Sequence, residues 1–278
     1  MKYLVLGSKG QIGNSLVKYL RALKHECIEF DIENSKFEDL RFHNNEILEK
    51  YISEVDFVFF LAFDVGGSRY LAQYQNTYDY IHNNISLMKE TFELLKKYNA
   101  KFLFTSSQMS NMFYSNYGTL KYIGEMYTKV LNGLVVKLWN VYGNEYNDKK
   151  AHVITDFIKM ARNNRRIDML TTGEESRQML YVEDCCECLE ILSRDCNYYN
   201  ISREKQLHIA SFKWETITDI ARIISTHYNV VCYKANKIDS IQLDKKNEPD
   251  NYILNFWKPR TTLENGIKQI IQNIEENK

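Results

Sequence analysis

No apolar run in the sequence approaches the roughly 18–20 residues that a membrane-spanning helix needs, so no helical span is expected. Charge of one sign is also missing. The 36 basic residues balance 36 acidic ones, for a net charge of zero. Such a chain lacks the basic footprint of a nucleic-acid binder and carries no basic amphipathic stretch for a membrane surface. The opening MKYLVLG is too short for a leader and runs straight into glycines, so it reads as a buried strand. A cytoplasmic chain is therefore expected, with its six cysteines as thiols. Proline is scarce, at two residues, and no Pro/Gly-rich linker, repeat or low-complexity tract divides the chain. Any second lobe must be woven into the first by the chain crossing back.

Metal ligands are thin as well. Cys185, Cys186, Cys188 and Cys196 cluster, and Cys185 and Cys188 have a CxxC spacing. No second pair and no nearby His completes a zinc set. The segment YVEDCCECLEILSR reads as a helix start, so these are expected to be small buried side chains, and no metal is expected.

What is present is an ordinary globular balance, 44% hydrophobic and 26% charged, in 278 residues. Strand-like runs lie at 3–6, 27–30, 57–61, 102–104 and 134–138, mostly apolar, with Glu29 and Lys137 as charged exceptions. Between them, 14–23, 80–98 and 117–131 have helical spacing. This alternation predicts an α/β fold with a doubly wound parallel sheet. Further on, 153–162 reads as helical, 214–227 as an amphipathic helix after the LHIAS run, and 263–276 as the last helix.

Gly7, Gly10 and Gly13 lie between the first strand and the first helix, with Gln11 and Ile12 opening that helix. Glycines there allow a tight turn and let a dinucleotide pyrophosphate approach the backbone and the helix N-terminus. Asp31 ends the next strand, 18 residues after Gly13. A carboxylate at that place binds ribose hydroxyls and repels a ribose phosphate, which points to NAD.

Further on, the run Phe102-Leu-Phe-Thr-Ser-Ser107 precedes Tyr117-Gly-Thr-Leu-Lys121. Tyr and Lys four apart share a helix face. An ammonium beside a phenol is expected to lower its pKa and make it a workable acid/base. A strand-end Ser can orient the reacting oxygen.

With these residues in place, the chain resembles the extended short-chain dehydrogenase/reductases, the NAD-dependent nucleotide-sugar epimerases, dehydratases and reductases, over nearly its whole length. The resemblance implies a Rossmann domain over 1–140, to which the chain returns around 178–210. It also implies a substrate lobe from 141–177 and 211–278. Asp39-Leu40 resembles the family's adenine-contacting pair, and Leu61-Ala62 its fourth-strand pair beside the cofactor. Ser107, Tyr117 and Lys121 match its catalytic triad, with Tyr117 and Lys121 also at the cofactor. Asn140 and Arg177 stand where the family meets the substrate diphosphate; for Arg177 the alternative is a salt bridge. The closing Trp257-Lys-Pro segment resembles a structural marker. A homodimer and a nucleotide-diphosphate sugar as substrate are implied too, for making polysaccharide precursors.

The departures narrow the chemistry. Ser107 is followed by Gln108-Met109, where a 4,6-dehydratase carries Asp-Glu. Only nine residues separate Ser107 from Tyr117, fewer than is usual, and Lys137 replaces a common Arg. Val65-Gly66-Gly67 and Ala151-His152 resemble GDP-fucose synthase and GDP-mannose 3,5-epimerase, but Gln108 stands at the synthase's Cys position. Gln108 and His152 are thus expected to contact substrate, or His152 to be structural. The expected reaction is hydride transfer at one sugar carbon, carbon 4. The alternatives are a 4,6-dehydratase, a 3,5-epimerase/reductase, or a cofactor-binding sensor on the same fold.

Asp31, with no Arg directly beside it, should make the chain prefer NAD to NADP. Titration with both cofactors checks this: equal or tighter NADP binding would mean that Asp31 points elsewhere or that Lys9 recruits the extra phosphate.

Overall fold

The computed structural model describes residues 1–145, 147–239, 241 and 247–276. The first half alternates β1 (Lys2–Leu6), α1 (Gln11–Ala22), β2 (Glu26–Phe30), α2 (Glu46–Glu54) and β3 (Phe57–Phe60). It goes on through α3 (Ser68–Tyr74), α4 (Tyr78–Lys97), β4 (Phe102–Ser107), α5 (Asn116–Val130) and β5 (Leu134–Leu138). The chain then leaves this layer through β6 (Asn140–Tyr142), α6 (Val153–Lys159), β7 (Arg166–Asp168), β8 (Ser176–Arg177) and β9 (Met179–Tyr181). It returns with α7 (Val182–Ser193), α8 (Asp195–Tyr198) and β10 (Leu207–Ile209). It ends with β11 (Glu215–Thr216), α9 (Ile217–Tyr228), β12 (Val231–Tyr233) and α10 (Leu263–Glu276).

The main sheet has the order β10-β5-β4-β3-β1-β2, and its pairs are all parallel, as the alternating pattern predicts. The order turns at β1, with β2 on one side and β3 on the other. Helices that cross over on opposite faces leave a crevice at the carboxyl ends of such strands, and that is where ligands bind in these sheets.

The period of two along each strand splits the core. Tyr3, Val5, Phe57 and Phe59 pack with Leu16 and Leu20 of α1 and Cys185, Cys188 and Leu192 of α7. Leu4, Leu6, Val58 and Phe60 pack on the other face with Leu48 of α2, Phe92 of α4 and Leu120 of α5. Both faces are covered, which is why these strands are unbroken apolar runs. The three cysteines of α7 are fully buried, and burial pushes their thiols up, that of Cys185 to about 12.

Some segments depart from the sequence pattern. Helix α2 shows only Leu48 and Ile52 to the core, and α3 only Leu71, so neither carries a readable apolar stripe. Helix α2 instead begins at Asn45, whose side chain accepts the Leu48 N–H at 3.0 Å. The segment 153–162 is α6 running into a π-helical turn over Met160–Asn164. Residues 215–216 are strand, not helix: β11 pairs antiparallel with β8, and Thr216 and Asp219 form a capping box that starts α9.

Three two-stranded ladders build the smaller lobe: β6 with β9, β7 with β12, and β8 with β11. The C-terminal segment is pinned to α7. Asp184 accepts the backbone N–H groups of Arg260 and Thr261, and the Trp257 indole donates to Glu187 at 3.0 Å. Among the described residues, no helix is long and apolar enough to cross a membrane.

Candidate active site

A cleft of about 960 Å³ opens at the carboxyl ends of β1, β3 and β4 and runs toward the smaller lobe. At its floor three backbones come together. Gly7 has φ +85°, and a Cβ there would stand 2.7 Å from the Ala62 nitrogen. A Cβ on Gly13 would stand 2.0 Å from the Gly7 carbonyl oxygen. Side chains cannot be accommodated at either place, so the glycines are a packing requirement of this turn. Helix α1 starts here at Gly10 with no side-chain cap. Its first-turn N–H groups have no intrahelical acceptors, and Gln11, Ile12 and Gly13 line the cleft. The buried Ser8 hydroxyl and Gln11 amide nitrogen have no hydrogen-bond partner among the described atoms. An uncapped helix start with spare donors beside a bare backbone suits a pyrophosphate.

The acid end is equally well defined. Asp31 lines the cleft and accepts the backbone N–H groups of Lys9 at 2.8 Å and Glu33 at 3.0 Å. Its own N–H is held by Glu38. Asp39 is buried, and Arg41 binds its carboxylate through Nε and Nη2. Burial would raise Asp39, but the Arg41 hydrogen bonds outweigh it and hold the carboxyl below its usual value. The Asp39 carboxylate is thus already occupied by an arginine that also lines the cleft. Leu40, Leu61 and Ala62 complete this end.

At the other end, β4 stops at Ser107 and α5 begins after Ser115, whose hydroxyl accepts the Gly118 N–H and donates to buried Gln75. The short link between them carries a 3-10 turn over Gln108–Asn111. This geometry brings Tyr117 within hydrogen-bonding reach of Ser107. Burial pushes the Tyr117 phenol up to about 12, with the Ser107 hydrogen bond pulling the other way. Lys121 is buried and donates to the Thr105 carbonyl at 2.7 Å. Burial pushes its ammonium down to about 7, with Glu125 opposing. The sequence expectation that Lys121 drives the phenol toward neutrality is not what this structure shows: desolvation dominates at both groups, opposed by Ser107 at Tyr117 and by Glu125 at Lys121.

The structure gathers Ser107, Gln108, Tyr117, Lys121, Asn140 and His152 around one cleft. The Asn140 side-chain oxygen is buried with no hydrogen-bond partner among the described atoms. His152 is gripped by Glu145, which accepts from its backbone N–H at 2.9 Å and meets its Nδ1. Burial would lower the His152 pKa, but Glu145 overcomes it and raises it. The two glycines noted with His152 in the sequence pack directly on its segment: a Cβ on Gly67 would stand 2.5 Å from the Ala151 oxygen.

Arg177 is not brought to the cleft wall. Its guanidinium is buried, ion-paired with Asp239 at 2.9 Å and bonded to the Ser176 carbonyl. Sequence reading missed Glu145, Phe63, Asp64, Arg41 and Lys150, all of which line the cleft. Phe63 and Asp64 directly follow the noted Leu61-Ala62 and could have been found by extending that motif. Glu145 lies seven residues before His152 on an irregular segment, which leaves no periodic signal.

Residues 3–202 match the NAD dependent epimerase/dehydratase family. The chain belongs to that family. Its cofactor is accordingly NAD, and the glycine cradle and the open helix start fit that molecule. The chain is similar to a putative UDP-glucose 4-epimerase of Methanocaldococcus jannaschii, at 29% identity over 182 residues. That match covers 59% of this chain, and it spans only about half (54%) of the relative's length. Among solved structures, the Thermotoga maritima UDP-glucose 4-epimerase with UDP-glucose superposes with a TM-score of 0.82 at 20% identity. The overlap covers 100% of this chain and 99% of that one. The epimerase Mth375 of Methanothermobacter thermautotrophicus gives 0.84 at 18% identity, over 99% and 92% of the two chains. At these identities the structural matches establish the shared fold.

Removing the buried Arg177–Asp239 pair should be costly. Arg177→Ala is expected to lower the unfolding free energy by about 3–5 kcal/mol in urea titrations and to leave NAD affinity intact. A variant as stable as the wild type would show that the guanidinium is not structural.

Proposed function

We propose that the chain is a nucleotide-sugar 4-epimerase, with a uridine-diphosphate hexose as the substrate class. The observation that carries this reading is the Ser107–Tyr117–Lys121 set facing one cleft, with Gln108 and Met109 directly after the serine. Neither an amide nor a thioether exchanges protons near neutral pH, so the adjacent acid/base pair that dehydration needs is absent at those two positions. The relatives named for UDP-glucose 4-epimerisation support the uridine nucleotide and carbon 4.

In this reading the loop from Gly7 to Gly13 and the first turn of α1 hold the NAD pyrophosphate. Asp31 takes the adenosine ribose, and Leu40, Leu61 and Ala62 line the rest of the cofactor path. NAD, when bound, would supply reversible hydride transfer at the carbinol carbon. Ser107 orients the sugar hydroxyl toward Tyr117. Tyr117, as phenolate, takes that hydroxyl proton and gives it back when the ketone is reduced on its other face. Lys121 supplies positive charge beside the phenol and must keep its proton to do so. Asn140 and Gln108 bond the nucleotide sugar.

The Glu145–His152 pair favours a second reading, in which His152 also exchanges a ring proton next to the ketone, as a 3,5-epimerase requires. Solvent deuterium retained at carbon 3 or 5 of the product would support that reading, and its absence would refute it.

Tyr117→Phe is expected to lower turnover about 100- to 10,000-fold while NAD binding and the fold persist. On candidate UDP-hexoses, mass spectrometry should find an isomer of unchanged mass. A loss of 18 mass units, one water, or a near wild-type rate for Tyr117→Phe would sink the assignment.

We also propose a homodimer through α4 and α5. These helices pack together, and Tyr122, Met126 and Val130 recur every four residues on α5 and are exposed, beside exposed Ile85 on α4. Met126→Lys should convert the particle to a monomer in sedimentation equilibrium. A wild-type protein that is itself monomeric would overturn the proposal.

A further inference from the structure

One aromatic ring touches both titrating members of the site. Phe63 follows Leu61-Ala62 at the carboxyl end of β3 and lines the cleft. The Lys121 Nζ stands 3.8 Å from its ring centroid. The Tyr117 ring meets it edge-on, with centroids 5.9 Å apart and planes at 73°. The Lys121 hydrogen bond goes to a neutral carbonyl, Thr105. Glu125, one turn further along α5, is already engaged by Ser106 and by Lys137 at 3.4 Å.

We propose that Phe63 is a positioning residue: its π face holds the Lys121 ammonium while its T-shaped contact fixes the Tyr117 ring, so the pair keeps its charge and spacing. A cation over an aromatic face is attracted by the ring quadrupole, and more strongly where water is excluded. Lys121 is buried, so desolvation works against its charge. Burial leaves it titrating at about 7, where a modest attraction decides how much ammonium is present. Other titratable groups reach this region from each packed element. They are Tyr117 and Glu125 on α5, Lys137 on β5, Asp64 after Phe63, and Tyr80 on α4, with the Ser106 and Ser107 hydroxyls on β4 as neutral polar neighbours. Asp64 is drawn away by Tyr70, at 2.6 Å, and by Lys150, at 2.8 Å. Phe63 is therefore the group that meets the ammonium from the β3 side.

The inference rests on the pairing of Tyr117 with Lys121 proposed above, but its test needs no sugar. Lysines labelled with 13C at Cε are titrated by NMR in the full chain, and the Lys121 signal is assigned by its loss in Lys121→Arg. The π face favours the charged lysine, so removing it must lower the titration midpoint and reduce the ammonium fraction at pH 7. In Phe63→Leu the midpoint should fall by about 0.5–1.5 pH units. Phe63→Tyr should restore it. Site-specific 3,4,5-trifluorophenylalanine at position 63, which keeps the shape and weakens the face, should also lower it and alone decides if Phe63→Leu does not fold. An unmoved midpoint with the fluorinated ring would overturn the proposal, even if Phe63→Leu loses turnover.

Discussion

The architecture depends on how closely three stretches of backbone approach one another at the sheet's turning point. Gly7 touches the backbone of Ala62 and Gly13 touches that of Gly7, at separations no Cβ tolerates. This contact sets helix α1 directly over the ends of β1 and β3 and points its uncapped first turn into the crevice. A bulkier residue at either glycine would lift the helix from the sheet and close the space that a dinucleotide needs. The fold and the cofactor site therefore have the same cause.

The reacting end is built on the opposite principle. There, burial does the work. A phenol pushed up and an ammonium pushed down sit in one cleft wall, with a serine hydroxyl and an aromatic ring beside them. Behind them, Glu125 and Lys137 pair in the interior, Glu125 accepting from Ser106 and Lys137 donating to Asn111. Buried charges persist only when partnered, so this second layer both balances and orients the first. The Glu145–His152 pair across the cleft repeats the device with one hydrogen-bonded carboxylate.

The smaller lobe is built on short two-stranded ladders of its own, and the C-terminal segment is tied to α7 by hydrogen bonds to Asp184 and Glu187. The lobe carries irregular backbone where the substrate side of the cleft lies. Its strands are two or three residues long, which is below the length at which a period is readable.

Sequence alone determined the parallel sheet, because strands covered on both faces must be unbroken apolar runs and their crossovers must be helices. It also singled out the glycine loop, the acid after it, and Ser107, Tyr117 and Lys121 as candidates, since each is recognised by a fixed spacing along the chain, and the structure places them on one cleft. Helices α2 and α3 were not legible, for they fully bury only one or two side chains each; α2 starts on the Asn45 cap and α3 on Gly67 with no side-chain cap. Only the tertiary structure decided that Arg177 turns to Asp239, that Glu145 grips His152, and that Phe63 lies over Lys121. It also decided that desolvation, not the neighbouring charge, dominates Tyr117. These outcomes join residues far apart in the chain, or depend on how much water the packed walls exclude. Neither distance in space nor dielectric is written in the spacing of residues.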